Sequence, residues 1–128
     1  MKNKEVISHI VNWLKNYAED NKMLGFVVGV SGGIDSALTS ALCAKTGLTT
    51  LCLEMPIKQQ QNQVDLAQDH ISWLSNQHTN VVGKVVALNP VFDALQKALG
   101  ADEKKNEELL SLANTRSRLR MVTLYYYC

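Results

Sequence analysis

Gly25-Phe26-Val27-Val28-Gly29-Val30-Ser31-Gly32-Gly33-Ile34-Asp35-Ser36-Ala37 decides the reading of this chain. Gly25–Val30 is a short apolar run rich in β-branched residues, the composition of a strand buried on both faces. Ser31–Ser36 is a glycine-bearing turn, and Ala37–Lys45 is a run of helix formers closed by Gly47. Backbone N–H groups at a helix start lack intrahelical partners and sit at the positive end of the macrodipole, so such a turn receives anions. Gly32 and Gly33 can take positive φ and admit phosphate oxygens close to the backbone, while Ser31 and Ser36 add hydroxyls. Asp35 repels a bare phosphate, so its presence implies a compensating cation, most simply Mg²⁺. The turn lacks the lysine of GxxxxGK[ST], and its glycines do not fit GxGxxG.

Outward from the turn, the pattern alternates. Val6, Ile7, Ile10, Val11, Leu14 and Tyr17 recur at helical spacing and predict a helix over about 4–19. After Gly47 a second strand is expected at Thr49–Met55, stopped by Pro56, then a polar solvent loop at Lys58–Gln63. Val64, Ala67, Ile71 and Leu74 mark one face of the next helix. A third strand is expected at Val81–Leu88, a helix from Asn89-Pro90 to Leu99, and a charged connection at Asp102–Glu108. A final helix runs from about Glu107 to the end. Strands alternating with helices predict an α/β fold, a doubly wound parallel sheet with right-handed crossovers. Three strands make a thin sheet of this kind, and the chain stops inside an apolar helix at Tyr125-Tyr126-Tyr127-Cys128. The expectation is an incomplete domain, with no second domain or internal repeat in residues 1–128.

Composition narrows the function classes. The chain has 128 residues, 46% of them hydrophobic, and 13 Lys+Arg against 12 Asp+Glu for a formal net charge of +1. That balance supplies no field for nucleic acid or an acidic membrane. No apolar run reaches the roughly 20 residues of a spanning helix, and no secretory signal is evident, so a soluble cytoplasmic protein is expected. Cys43, Cys52 and Cys128 fit neither a disulfide framework nor a zinc site and read as small buried hydrophobes. His9, His70 and His78 are scattered, which gives no support for ligand or catalytic roles.

The stretch from Phe26 to Ala37 resembles the pyrophosphate loop of the ATP-pyrophosphatase superfamily, whose members cleave ATP between its α- and β-phosphates to adenylate a substrate. Ala113-Asn114-Thr115-Arg116-Ser117-Arg118-Leu119-Arg120-Met121, followed by Thr123-Leu124-Tyr125, resembles the Gly-Asn-x-x-x-Arg-x-Arg-Met segment of ammonia-dependent NAD synthetases. The resemblance covers this whole chain but only the N-terminal half of such an enzyme. It implies a Rossmann-like fold of the adenine nucleotide alpha hydrolase type, and a homodimer in the complete family. The implied reaction is amidation of deamido-NAD to NAD through an adenylated intermediate, with ammonia consumed and AMP and pyrophosphate released. Carried over, Gly29, Val30, Ser31, Gly32, Gly33, Ile34, Asp35 and Ser36 would hold ATP, and Asp35 would ligate Mg²⁺. Arg118, with Asn114, Arg120 and Tyr125, would contact deamido-NAD.

At 100° per residue, Asn114, Arg118, Met121 and Tyr125 form one helical stripe, with Arg116 and Arg120 roughly opposite. Arg118 therefore shares a face with an amide and an aromatic ring, a surface suited to a nicotinate ribose. Ala113 departs from the glycine usual before the asparagine. A second acidic Mg²⁺ ligand and the lysine and serine expected around ATP are absent, so the chain supplies one wall of a crevice and is expected to be inactive alone. Two other readings keep the turn. One is a different adenylating pyrophosphatase, such as a GMP synthetase-like or tRNA-modifying enzyme, and the other is a truncated, non-catalytic nucleotide-binding module.

Overall fold

The computed structural model describes residues 2–128. The elements, in chain order, are α1 (Asn3–Asp20), β1 (Gly25–Gly29), α2 (Ile34–Lys45), β2 (Thr49–Glu54), α3 (Gln61–Gln77), β3 (Val81–Val85), α4 (Asn89–Leu99) and α5 (Asn106–Tyr127). The strands form a parallel sheet in the order β1-β2-β3, with Gly29 opposite Leu53 and Glu54 opposite Val85. Parallel neighbours need crossovers, which α2 and α3 supply.

Strand alternation divides β2 between two cores. Cys52 packs with Val30, Ala44, Ala67, Leu74 and Val81 on the face covered by α2 and α3. Leu53 and Met55 pack with Ile57, Leu88, Phe92 and Leu112 on the face covered by α4 and α5. Phe92 and Leu53 are fully enclosed, and truncating such a phenylalanine to alanine costs about 3–5 kcal/mol. Helices on both faces make the sheet doubly wound, as the alternation predicts. Gly47 (φ 80°) follows α2 and Gly100 (φ 66°) closes α4, where only a residue without Cβ turns the chain without strain.

Several local expectations are corrected. The helix after the turn begins at Ile34, so the last residues of the motif are already helical and the turn is only Ser31–Gly33. Gln61–Gln63 belong to the first turn of α3 and not to a solvent loop, because a polar first turn is compatible with a helix whose apolar stripe starts later. β2 stops at Glu54 and β3 at Val85, where pairing with the neighbouring strand ends. α5 begins at Asn106, inside the segment expected to be a connection. β1 is not buried on both faces: only Val28 is enclosed, since among the described residues β1 has a neighbour along one edge alone. Cys43 and Cys52 are buried as expected, but Cys128 is exposed, with Sγ 3.2 Å from the Leu124 carbonyl oxygen.

Candidate functional site

The site grows from the C-terminal end of β1, the edge at which open α/β sheets receive ligands. The Val30 N–H still reaches Leu53 O at 2.8 Å, so the chain leaves the sheet at Ser31. Gly32 then turns with φ 89°, and a Cβ there would stand 2.6 Å from Gln63 O. Gly32 is thus glycine for two reasons, its conformation and the α3 backbone behind it. Gly33, read from sequence as a second positive-φ position, is extended instead (φ −86°) and serves as the N-cap of α2.

No side chain caps α2. The Ile34, Asp35 and Ser36 amides therefore point out of the helix start without an intrahelical acceptor. The serine hydroxyls shape the turn: Ser31 N–H donates to Ser36 Oγ at 3.1 Å, and Gly33 N–H donates to Ser31 Oγ at 3.3 Å. Ser36 Oγ in turn donates to Gly33 O at 3.2 Å. Asp35 is exposed in the first turn, and its carboxylate has no ion pair or hydrogen bond among the described residues. A carboxylate kept unpaired beside an anion-receptive helix start suits a hard cation with oxygen ligands. Among the described residues no cluster of three His, Cys, Asp or Glu could hold a metal.

Beneath the turn, α2 is fastened to α3. Ser40 is fully buried, and its Oγ donates to Ser36 O at 2.8 Å while lying 2.8 Å from His70 Nε2. With the hydroxyl proton given to the carbonyl, the imidazole donates from Nε2, and burial lowers the His70 pKa. His70 and Gly32 line a small apolar cavity of about 270 Å³ behind the turn, with Ile34, Ala37 and Leu66.

The opposite side of the turn opens into a cavity of about 330 Å³ lined by Gly29, Val30, Ser31, Met55, Gln59, Ser117, Arg120, Met121 and Leu124. Gly29 leaves room here, since a Cβ would press on Met55 Cε at 3.0 Å. Arg120 Nε donates to Met55 O at 3.0 Å, and burial, then the neighbouring Arg116 charge, lowers its pKa.

The structure therefore brings Gly29, Val30 and Ser31 together with Arg120 and Met121, while Gly32, Gly33 and Ile34 line the cavity behind the turn. It does not bring Arg118, Asn114 or Tyr125 there. All three are exposed on the outward side of α5, with Arg118 and Asn114 beside a hollow of about 340 Å³ against Leu95 and Leu99 of α4. The stripe drawn on the helical wheel splits, because Met121 is near enough to Arg120 to reach the turn cavity. Met55, Gln59 and Ser117 were missed by sequence reading. Met55 and Gln59 follow a parallel strand adjacent to β1, and that position at the carboxyl edge of the sheet is the signal that could have found them. Glu54 was missed as well. It is 2% exposed, its Oε2 has no partner among the described residues, and burial raises its pKa.

A doubly wound parallel sheet whose first strand ends in an uncapped, glycine-turned helix start defines a protein of the α/β class. Within that class the chain belongs to the NAD synthase family, whose family model matches residues 6–128. It is 38% identical over 119 residues to an NH(3)-dependent NAD(+) synthetase of Finegoldia magna, covering 92% of this chain and 46% of that protein. To the NH(3)-dependent NAD(+) synthetase of Malacoplasma penetrans it is 40% identical over 124 residues, covering 96% and 46%. Among solved structures it superposes on an NMN synthetase from Francisella tularensis with a TM-score of 0.84 at 32% identity, covering 99% of this chain and 50% of that one. An NH3-dependent NAD synthetase from Campylobacter jejuni, solved with a nitrate ion, gives 0.79 at 29% identity, covering 99% and 52%. The chain spans about half the length of the curated relatives it matches.

Proposed function

We propose that residues 1–128 form the N-terminal part of the domain of an ammonia-dependent NAD synthetase. In this reading a nicotinate carboxylate attacks the α-phosphorus of ATP, and the α–β bridging P–O bond breaks to release pyrophosphate. The nitrogen of ammonia then attacks the acyl carbon, a proton is lost, and AMP departs to leave the amide. The observation that carries the reading is the uncapped start of α2 behind Gly32, with the Asp35 carboxylate unpaired beside it.

The Ile34, Asp35 and Ser36 amides would hold the β- and γ-phosphates, donors fixed before the substrate arrives. The cavity between the turn and α5 would take the rest of the nucleotide. Asp35 would hold Mg²⁺, which when bound neutralises phosphate oxygens and makes pyrophosphate a better leaving group. Arg118, Asn114 and Tyr125 would contact deamido-NAD on the outward face of α5, and Arg120 would meet it at the turn. Since that outward face also exposes Val122 and Tyr126, a second copy of the chain would complete this contact as a homodimer. No helix of the described residues is long and apolar enough to cross a membrane, and a cytoplasmic setting suits the proposed substrates.

The likeness to the NMN synthetase supports a second reading, in which the acceptor is the mononucleotide rather than the dinucleotide. The two are separated by one assay of the enzyme that carries this chain, with ATP, Mg²⁺, ammonia and either deamido-NAD or nicotinate mononucleotide. Formation of AMP, pyrophosphate and NAD in equal amounts is expected. Faster turnover of the mononucleotide favours the second reading, and AMP release that depends on neither acceptor overturns both.

A further inference from the structure

On the far side of Arg120 from the phosphate turn lies a second cavity, of about 450 Å³, between α5, the segment after β2 and the segment after α4. Lys58, Arg116 and Arg120 line it with a single acid, Glu103. The lysine is already matched. Its Nζ stands 3.1 Å from Glu103 Oε1 and 3.3 Å from Asp93 Oδ1.

The two arginines are different. Neither has a carboxylate within ion-pair distance among the described residues. They occupy i and i+4 on α5, where like charges oppose the helix. Both heads are nevertheless half-buried and oriented: Arg116 lies 5.6 Å from the Phe92 ring centroid, and Arg120 is held through Nε by Met55 O. That tether leaves the terminal N–H groups of Arg120 available. Two oriented guanidiniums with no acid of their own, in a cavity that also holds the Gln59 amide, match a tetrahedral oxyanion with several acceptor oxygens.

We propose that this cavity is an anion subsite for a phosphate or diphosphate group, held by Arg116 and Arg120 and separate from the turn at Gly32. The inference stands on this cavity and its charges and does not depend on what the turn binds. Gln59 and Arg120 line both cavities, so the group could be a free diphosphate or the diphosphate bridge of a dinucleotide.

The test is titration of the chain with inorganic pyrophosphate, without magnesium, followed by calorimetry and by the arginine Nε resonances. The expected result is movement of the Arg116 and Arg120 resonances, with binding weakened at least tenfold in Arg116→Gln. The Arg116→Gln variant leaves the Arg120–Met55 tether intact. Competition by NAD identifies the source as a dinucleotide bridge, and its absence identifies free diphosphate; either supports the subsite. Unmoved arginine resonances, or Arg116→Gln binding as well as the parent chain, overturn it. Shifts confined to the Gly32–Ser36 amides also overturn it, by placing the ion at the turn.

Discussion

The Arg120 guanidinium donates from Nε to the main-chain oxygen of Met55 at 3.0 Å, tying the last helix to the residue just beyond the central strand. One side chain thus closes the cavity at the Gly32 turn and leaves its terminal N–H groups for a neighbouring cavity. Replacing Arg120 with methionine keeps much of the apolar stem but loses a hydrogen bond from a charged group, about 1.5–3 kcal/mol. Urea denaturation is expected to show that loss, and ATP binding followed by thermal shift is expected to weaken several-fold.

Gly32→Ala tests the turn itself. The new Cβ meets Gln63 O at 2.6 Å, and the residue must keep φ 89°. Strain of this kind costs about 1–3 kcal/mol before any clash is counted. The expected outcome is a lower unfolding midpoint together with loss of nucleotide binding, whereas Gly33→Ala, at an extended φ with only Ser31 Oγ nearby, is expected to be far milder.

Asp35→Asn separates the metal from the phosphate cradle. The substitution removes a carboxylate with no protein partner, so stability is expected to change by less than about 0.5 kcal/mol. ATP binding in the presence of Mg²⁺ is expected to fall by tenfold or more, while binding without Mg²⁺ is unchanged or stronger. Isothermal titration with and without the ion reads both.

Glu54 makes a pH-dependent contribution of unusual sign for an acid. Burial raises its pKa in the folded chain, with the Gln68 hydrogen bond opposing and Asp65 adding to the rise. The unfolded chain therefore releases the proton first, and stability falls as pH climbs from the ordinary carboxylate range through the raised folded value. Glu54→Gln is expected to remove that fall and raise the unfolding midpoint at neutral pH. Denaturation midpoints at pH 4 and pH 7 measure it.

His70 acts at the other end of the pH scale. Its folded pKa is lowered by burial, so the unfolded chain takes up a proton first as the solution is acidified. Stability from this residue is complete above the ordinary histidine range and declines below about pH 6.5. In His70→Gln, which retains a donor toward Ser40, the decline in that window is expected to flatten in midpoints recorded from pH 5 to 8.

The turn was legible because its information is local. Gly32, Asp35 and Ser36 sit within five residues, and a strand-to-helix corner needs nothing distant to present unpaired amides. The helix stripe Val64, Ala67, Ile71 and Leu74 was legible for the same reason, since periodicity reports which side is dry. The arginines were harder. The wheel correctly set Arg118 and Arg120 on different sides of α5, yet an angle around a helix axis carries no statement of which side meets the turn.

Sequence by itself therefore determined the order of strands and helices, the doubly wound sheet and the position of the glycine turn, all of which follow from near-neighbour sterics and hydrophobic spacing. Only the tertiary structure decided that Arg120 and Met121 close the turn cavity while Arg118 and Asn114 face outward. It also decided that Glu54 is sealed beneath α3 and that His70 braces the helix under the turn. Those outcomes depend on how α3 and α5 dock on the two faces of the sheet. Docking is set by the summed packing of residues far apart in the chain, such as Leu53, Phe92 and Leu112, and no single segment encodes it.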